Sequence, residues 1–227
     1  MKDILKRAFL STLPVLTGYL VLGFGFGIVL KASGFGVPVA VAMSLFIYAG
    51  SMQYAAVGLL LSGASLVTIA LTALAVNARH LFYGISMLEP YRGVGAIKPY
   101  LIFSLTDETY SLVCNPPEEI SEKGRRVYYG LVSVLNHSYW VLGTLLGALV
   151  GAFVHFNSEG IDFALTALFL TVFVDQWMHA KRYVPALIGV GASVVSLIVF
   201  GADRFLIPAM LVIALVLSLG VGGDRDA

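Results

Sequence analysis

The chain has 227 residues, of which 59% are hydrophobic and 12% charged. A soluble domain carries about 25% charged residues, and a fold this size cannot hide so much apolar surface from water. Lipid is therefore the natural solvent, and a soluble enzyme is excluded. The formal net charge of +1 gives no footprint for a nucleic acid or an acidic partner. One cysteine, Cys114, allows no internal disulfide and no CxxC or Cys/His zinc spacing, so neither metal nor cofactor is expected.

Lys2, Lys6 and Arg7 precede an apolar run over 9–30. The run is too long for the core of a cleaved leader, and no small-residue cleavage site closes it early. It is expected to be the first membrane span. A spanning helix needs about 20 mostly apolar residues, and eight candidates follow one another at 9–30, 37–61, 64–88, 99–114, 127–154, 161–178, 183–200 and 204–221. The fourth and seventh are short, which leaves seven to eight spans. The polar stretch Asn115 to Arg126 is expected to be an aqueous loop. This predicts an all-α, polytopic transmembrane helical bundle forming a single transporter domain over 1–227, with some broken or short helices.

Orientation follows from the basic residues. With eight spans and both termini inside, the inner face collects Lys2, Lys6, Arg7, Lys123, Arg125, Arg126, Lys181, Arg182 and Arg225, against Lys31, Arg92, Lys98 and Arg204 outside. If the third or fourth span is re-entrant, the count falls to seven or six and part of the chain flips. Tyr19-Leu-Val-Leu-Gly23 and Tyr139-Trp-Val-Leu-Gly143 match, which suggests an internal repeat of the kind found in transporters. Four spans between the copies would make it parallel, and an odd number inverted.

Gly23 and Gly27, and likewise Gly143, Gly147 and Gly151, recur every fourth residue, a smooth stripe that lets another helix approach closely. Gly23-Phe-Gly-Phe-Gly27 follows no strand and is not a phosphate loop. The second span carries Tyr48-Ala-Gly-Ser-Met-Gln-Tyr54. A helix broken here, at Tyr48, Gly50, Ser51 and Gln53, would offer free N–H and C=O groups to an amino acid, and such a break is tolerated only against protein or a cavity. An unbroken helix with Ser51 and Gln53 bonded to a neighbour is the alternative.

In the third span Asn77, His80 and Gly84 share a face while Arg79 points elsewhere. A charge inside a span faces a cavity or a partner. Arg79 suits a substrate carboxylate, and His80 titrates near neutrality. Alternatively the span ends near Val76 and both are interfacial anchors. The fourth span places Ser104, Asp107, Glu108 and Ser111 on one helical stripe, broadened by Thr106, Thr109 and Tyr110. Asp107 or Glu108 suits proton carriage, or a salt bridge to Arg79 without a transport role. Asn136 and His137 lie within the fifth span, where a hydrogen bond between helices competes with a proton relay. Asp175-Gln-Trp-Met-His179 with Lys181 and Arg182 reads as an interfacial end, and His155, Glu159 and Asp162 as a solvated loop. No HExxH, GxSxG, DxD-type metal pair or nucleotide loop is present.

Thr17-Gly-Tyr-Leu-Val-Leu-Gly-Phe-Gly-Phe-Gly27, Tyr48 to Tyr54, Asn77-Ala-Arg-His-Leu-Phe-Tyr-Gly84 and Ser104-Leu-Thr-Asp-Glu108 in this order resemble the AzlC family of branched-chain amino acid permeases across nearly the whole chain. The resemblance implies export of valine, leucine and isoleucine across the inner membrane, driven by protons. It also implies a large subunit that works with a small hydrophobic partner of the AzlD type. The residues themselves leave a second reading, a non-transporting scaffold or assembly subunit.

Overall fold

In the computed structural model, residues 2–117, 119–153 and 183–201 are described, with 170, 174, 177, 178, 205, 208, 209, 211–213, 215 and 216. Among them the chain is helical: α1 (Lys2–Ala32), α2 (Val37–Phe46), α3 (Gly50–Leu61), α4 (Leu66–Ser86), α5 (Lys98–Phe103), α6 (Asp107–Val113), α7 (Glu122–Phe153) and α8 (Val184–Phe200). Three of these helices, Lys2–Ala32, Leu66–Ser86 and Gly124–Phe153 within α7, are long and apolar enough to cross a membrane. The chain is thus an all-α membrane protein with short and broken helices. The interfacial end at 175–182 and the loop at 155–162 fall largely outside the described residues.

Contacts along the chain separate two compact units, Met1–Ser65 with Val76–Phe163, and Leu66–Ala75 with Ala164–Ala227. In the second, α8 starts with Pro at its first turn, and the Trp177 and Tyr183 rings lie 5.1 Å apart. All that follows concerns the first unit.

Its frame is the pair α1 and α7, which run parallel along their whole length. A Cβ on Gly23 would lie 2.9 Å from the Trp140 carbonyl, and one on Gly143 would lie 2.8 Å from that of Tyr19. Gly27 and Gly147 sit tighter still, against Thr144 and Phe24 backbone oxygens, and Gly151 meets Ile28 and Lys31. Glycine alone lets two backbones approach so closely. The contacts are reciprocal at an offset of 120 residues, the same offset that relates the two Tyr-x-x-x-Gly segments.

The polar loop is shorter than expected: Glu122 to Arg126 already form the first turns of α7. Arg7 pairs with Glu119 at 3.4 Å, which ties the start of α1 to that loop. Met87, Tyr91 and Val94, between α4 and α5, are buried in the same apolar cluster as Ala8, Ile120 and Tyr128. Hence Arg92 and Lys98 belong to the end of the bundle that holds Arg7, and their expected place on the opposite side is corrected.

The reason is that the second and fourth apolar segments do not cross. The end of α2 reaches Tyr48, whose ring lies edge-on to Tyr19 at 6.4 Å. By Tyr54 the chain has returned toward the C-terminal half of α1, where the Tyr54 hydroxyl donates to the Leu22 carbonyl at 2.6 Å. Helices α2 and α3 therefore form a re-entrant hairpin. Leu101 of α5 and Val113 of α6 are both buried in the Ala8 cluster, while the Thr106 hydroxyl between them reaches Tyr19 at 2.7 Å. So α5 and α6 form a second hairpin, entering from the opposite end. Helix α4 continues through Arg79 and His80 to Ser86 and does not end near Val76.

The glycine seam generates a stability prediction. Gly147→Leu is expected to destabilise the protein by at least about 1–3 kcal/mol, because it overpacks a backbone-to-backbone contact. Gly58→Ala, where the added methyl meets open space, is expected to change stability by no more than about 1 kcal/mol, upward. Thermal unfolding in detergent checks both.

Candidate functional site

The tips of the two hairpins meet inside the unit and, with α4, line a half-open cavity of about 210 Å³. Its lining comes from three places: Ile47, Tyr48 and Ala49 at the first tip, Ile102, Phe103 and Leu105 at the second, and Asn77, His80 and Gly84 of α4. The α4 face expected from spacing is the one that lines it. The wall is mostly apolar, and the lining residues with polar side-chain groups are Tyr48, Asn77 and His80. His80 Nδ1 lies 3.2 Å from the Asn77 carbonyl, and its ring meets Tyr83 edge-on at 5.8 Å.

The first tip is a true break. Tyr48 has φ 45°, a left-handed conformation that costs a bulky residue about 1–3 kcal/mol and persists only where its surroundings enforce it. Here the ring lies 4.3 Å from that of His137 and 6.2 Å from that of Phe103. The break also leaves the Ser44 carbonyl without its helical partner, because the Tyr48 N–H bonds to Met43 instead. His137 Nε2 lies 3.2 Å from that carbonyl. A carbonyl can only accept, so Nε2 carries the hydrogen. Tyr100 Oη lies 3.2 Å from His137 Nδ1. His137 is thus the hydrogen-bonding link between helices weighed above.

Gln53 is wholly buried. Its Nε2 donates to Ser44 Oγ at 3.2 Å, its Oε1 accepts from Trp140 Nε1 at 2.9 Å, and Ser44 Oγ donates to Thr144 Oγ1 at 2.8 Å. Gln53 therefore pins the first hairpin to α7 and is not part of the cavity lining. Gly50 packs against the Trp140 ring. The N-terminus of α3 has no side-chain cap, so its first N–H groups are unclaimed.

Arg79 Nη1 lies 2.9 Å from Asp107 Oδ2, and Nη2 donates to Ser51 Oγ at 3.4 Å. The two charged side chains are 39% and 35% exposed, and neither lines the cavity. Arg79 Nε and Asp107 Oδ1 have no partner, so the fork makes one of its two possible bonds to the carboxylate. Glu108 turns to a different neighbour and accepts from the Tyr19 hydroxyl at 2.6 Å. The expected single stripe of Ser104, Asp107, Glu108 and Ser111 is corrected. The helix breaks between Phe103 and Asp107, Ser104 bonds back to Tyr100 within α5, and exposed Ser111 bonds to the Glu108 carbonyl.

Beyond Glu108 a buried polar line runs inward. Thr106 caps α6 by accepting from the Thr109 N–H at 3.3 Å. Its hydroxyl lies 3.1 Å from that of Thr109, to which Asn136 Nδ2 donates at 3.1 Å. The sequence signals its members singly, as a tyrosine, two threonines and an asparagine in apolar surroundings. It does not signal that two breaks bring them together. No group of three His, Cys, Asp or Glu side chains able to hold a metal occurs among the described residues.

The fold and site define an all-α membrane protein with a half-open, mixed polar–apolar cavity between two opposed re-entrant hairpins. The chain belongs to the AzlC family (AzlC protein), whose match covers residues 14–154. It is 45% identical over 216 residues to the branched-chain amino acid transport protein AzlC of Bacillus subtilis (strain 168), covering 94% of this chain and 84% of that one. It is 39% identical to an uncharacterized membrane protein of Haemophilus influenzae, covering 95% and 88%. With the inner membrane protein YgaZ of Escherichia coli (strain K12) the identity is 28%, covering 81% and 78%. No solved structure matches the chain.

The network around the first tip generates a second prediction. Gln53→Met keeps the length but strands the Trp140 N–H and the Ser44 hydroxyl, and is expected to cost about 1–3 kcal/mol. Ser51→Ala removes one long bond to a part-exposed arginine and is expected to cost less than about 1 kcal/mol. Melting curves of the two variants in detergent check the order.

Proposed function

We propose that this protein is a secondary transporter exporting branched-chain amino acids, coupled to protons, and that it acts as the large subunit beside a small hydrophobic membrane protein of the AzlD type. The name of the Bacillus subtilis relative supports the substrate class. The cavity is the observation that carries the reading.

An aliphatic side chain fits among Ile47, Ile102, Phe103 and Leu105, where apolar walls reward it by burial alone. The substrate carboxylate meets the uncapped N-terminus of α3, where free N–H groups and the helix dipole favour an anion. Arg79 stands beside that end through Ser51, and a substrate carboxylate competes with Asp107 for its fork. The ammonium group turns toward the Asn77 amide oxygen. Gly50, Ser51 and Arg79 then serve the carboxylate, Tyr48 and Asn77 shape the cavity, and Gln53 holds the tip in place. Asp107 is released when Arg79 takes substrate, Glu108 carries the coupling proton, and His80 lies in the cavity wall between them and the substrate.

Orientation in a cytoplasmic (inner) membrane follows from the regrouped charges. Lys2, Lys6, Arg7, Arg92, Lys98, Arg125 and Arg126 gather at one end of the first unit, and among the described residues Lys31 lies at the other. The positive-inside tendency puts the N-terminus in the cytoplasm.

Counterflow of radiolabelled leucine in proteoliposomes, with and without the small partner, tests the reading. Arg79→Ala is expected to lower the flux at least about tenfold, the loss of one charge-assisted contact, when compared at equal amounts of folded protein. Leucine movement at the wild-type rate in that variant would remove Arg79 from the site. A wild-type protein that moves no leucine in either preparation would favour a scaffold role.

A further inference from the structure

The hydroxyl line from Glu108 has a property its separate bonds do not reveal: it has two complete arrangements. We infer that Tyr19 couples the charge of Glu108 to the tip of the second hairpin, and that Tyr19, Thr106, Thr109 and Asn136 reverse their hydrogen bonds together when Glu108 gains or loses a proton. The inference rests on the proposed proton-coupled transport and names the residues that transmit the coupling.

Hydroxyl hydrogens are not fixed by heavy-atom positions. The contacts in order are Glu108 to Tyr19 at 2.6 Å, Tyr19 to Thr106 at 2.7 Å, Thr106 to Thr109 at 3.1 Å and Thr109 to Asn136 at 3.1 Å. Each hydroxyl has one hydrogen. With Glu108 ionised, Tyr19 donates to the carboxylate, Thr106 to Tyr19, Thr109 to Thr106, and the Asn136 amide N–H to Thr109. Every contact then holds one hydrogen. With Glu108 neutral, its own hydrogen points to Tyr19. Tyr19 then donates to Thr106, Thr106 to Thr109, and the Thr109 hydrogen requires an acceptor.

Asn136 supplies one. Its residue is wholly buried and its Oδ1 has no hydrogen-bond partner. Rotating the amide by half a turn presents that oxygen to Thr109 and keeps the contact satisfied. Both arrangements therefore keep the line continuous, with the far side of the Asn136 amide unpaired in each, and no hydroxyl is created or lost. The proton stays on Glu108, which is half-buried and so keeps some exposure through which to exchange it. Only bond directions travel inward.

The line is well placed to act on transport. Tyr19, Thr106 and Thr109 are buried, so their bonds are not exchanged for water. Thr106 is the cap of α6 and directly follows Leu105, which lines the cavity. A change in what Thr106 donates to is felt at the tip. The other titratable groups around Glu108 are Tyr19 of α1, Tyr48 of the first tip, Tyr83 of α4, and the adjoining Asp107 with its partner Arg79. Of these, Tyr19 is the one bonded to it.

The test separates coupling from transport in the same proteoliposomes. Leucine counterflow at equal pH on both sides is measured beside leucine flux driven by a pH gradient. Tyr19→Phe removes the hydroxyl and keeps the ring. It is expected to leave counterflow within about twofold of wild type and to lower the pH-driven flux at least about fivefold, as losing one buried link implies. Thr106→Val should do the same, and Thr106→Ser, which keeps the hydroxyl, should restore the response. A Tyr19→Phe protein with the full pH response overturns the inference while leaving the transport reading intact. Equal loss of both fluxes, or no rescue by serine, assigns the line a structural role and also overturns it. Flux that follows sodium instead of pH overturns it together with proton coupling. A wild-type protein without counterflow removes the transport reading itself.

Discussion

Backbone polar groups inside a bilayer must be bonded within the protein, and this chain ends four half-helices there. Each end leaves N–H or C=O groups that water cannot reach, at a cost of several kcal/mol apiece. The polar side chains of the first unit are mostly answers to that requirement. His137 accounts for the Ser44 carbonyl, Gln53 bridges Ser44 and Trp140, and Thr106 caps α6. What remains unanswered is the start of α3, and it lies beside the cavity. The second tip is thus capped by the chain's own residues, whereas the first is satisfied at its α2 end and uncapped at the start of α3.

This arrangement needs a firm backing, and the glycine seam provides it. The hairpins contribute short helices with little packing surface of their own. Between α1 and α7 the two backbones touch over several turns, so the residues that hold the tips, Tyr19 on one and Asn136, His137 and Trp140 on the other, share one rigid element. Larger residues at Gly27 or Gly147 would separate those residues even though no glycine touches the cavity. The glycines expected to pack helices therefore bear on function through position alone.

Much of this was legible in the sequence, for stated physical reasons. Tyr48 to Tyr54 held Gly, Ser and Gln in an apolar run, which allowed either a break or a helix with Gln53 bonded to a neighbour, and the structure has both the break and the bonding. Asn77, His80 and Gly84 fell on one face by period, and they line the cavity together. Arg79 was a charge in an apolar run, for which an ion pair to Asp107 or Glu108 was one of the readings open, and the pair forms with Asp107. Periodicity failed where the helix did: Ser104 to Ser111 fitted a helical stripe, but Ser104-Leu105-Thr106 turns the chain back. An apolar run of sixteen or twenty-five residues has the same hydropathy whether it crosses or returns. Only contacts such as Leu101 and Val113 with Ala8 distinguish the two cases. That error also carried Arg92 and Lys98 to the wrong side.

The corrected fold changes how the three central charges are understood. Read as one helix, the fourth segment set two carboxylates side by side in lipid, where each would penalise the other. As two half-helices it presents them in the first turn of α6, where the helix dipole favours negative charge. There they diverge, Asp107 toward a guanidinium and Glu108 toward a phenol. One carboxylate is matched by a fixed charge and the other by hydroxyls that can turn. The two carboxylates therefore differ in what holds them, and the break in the chain is what gives them different partners.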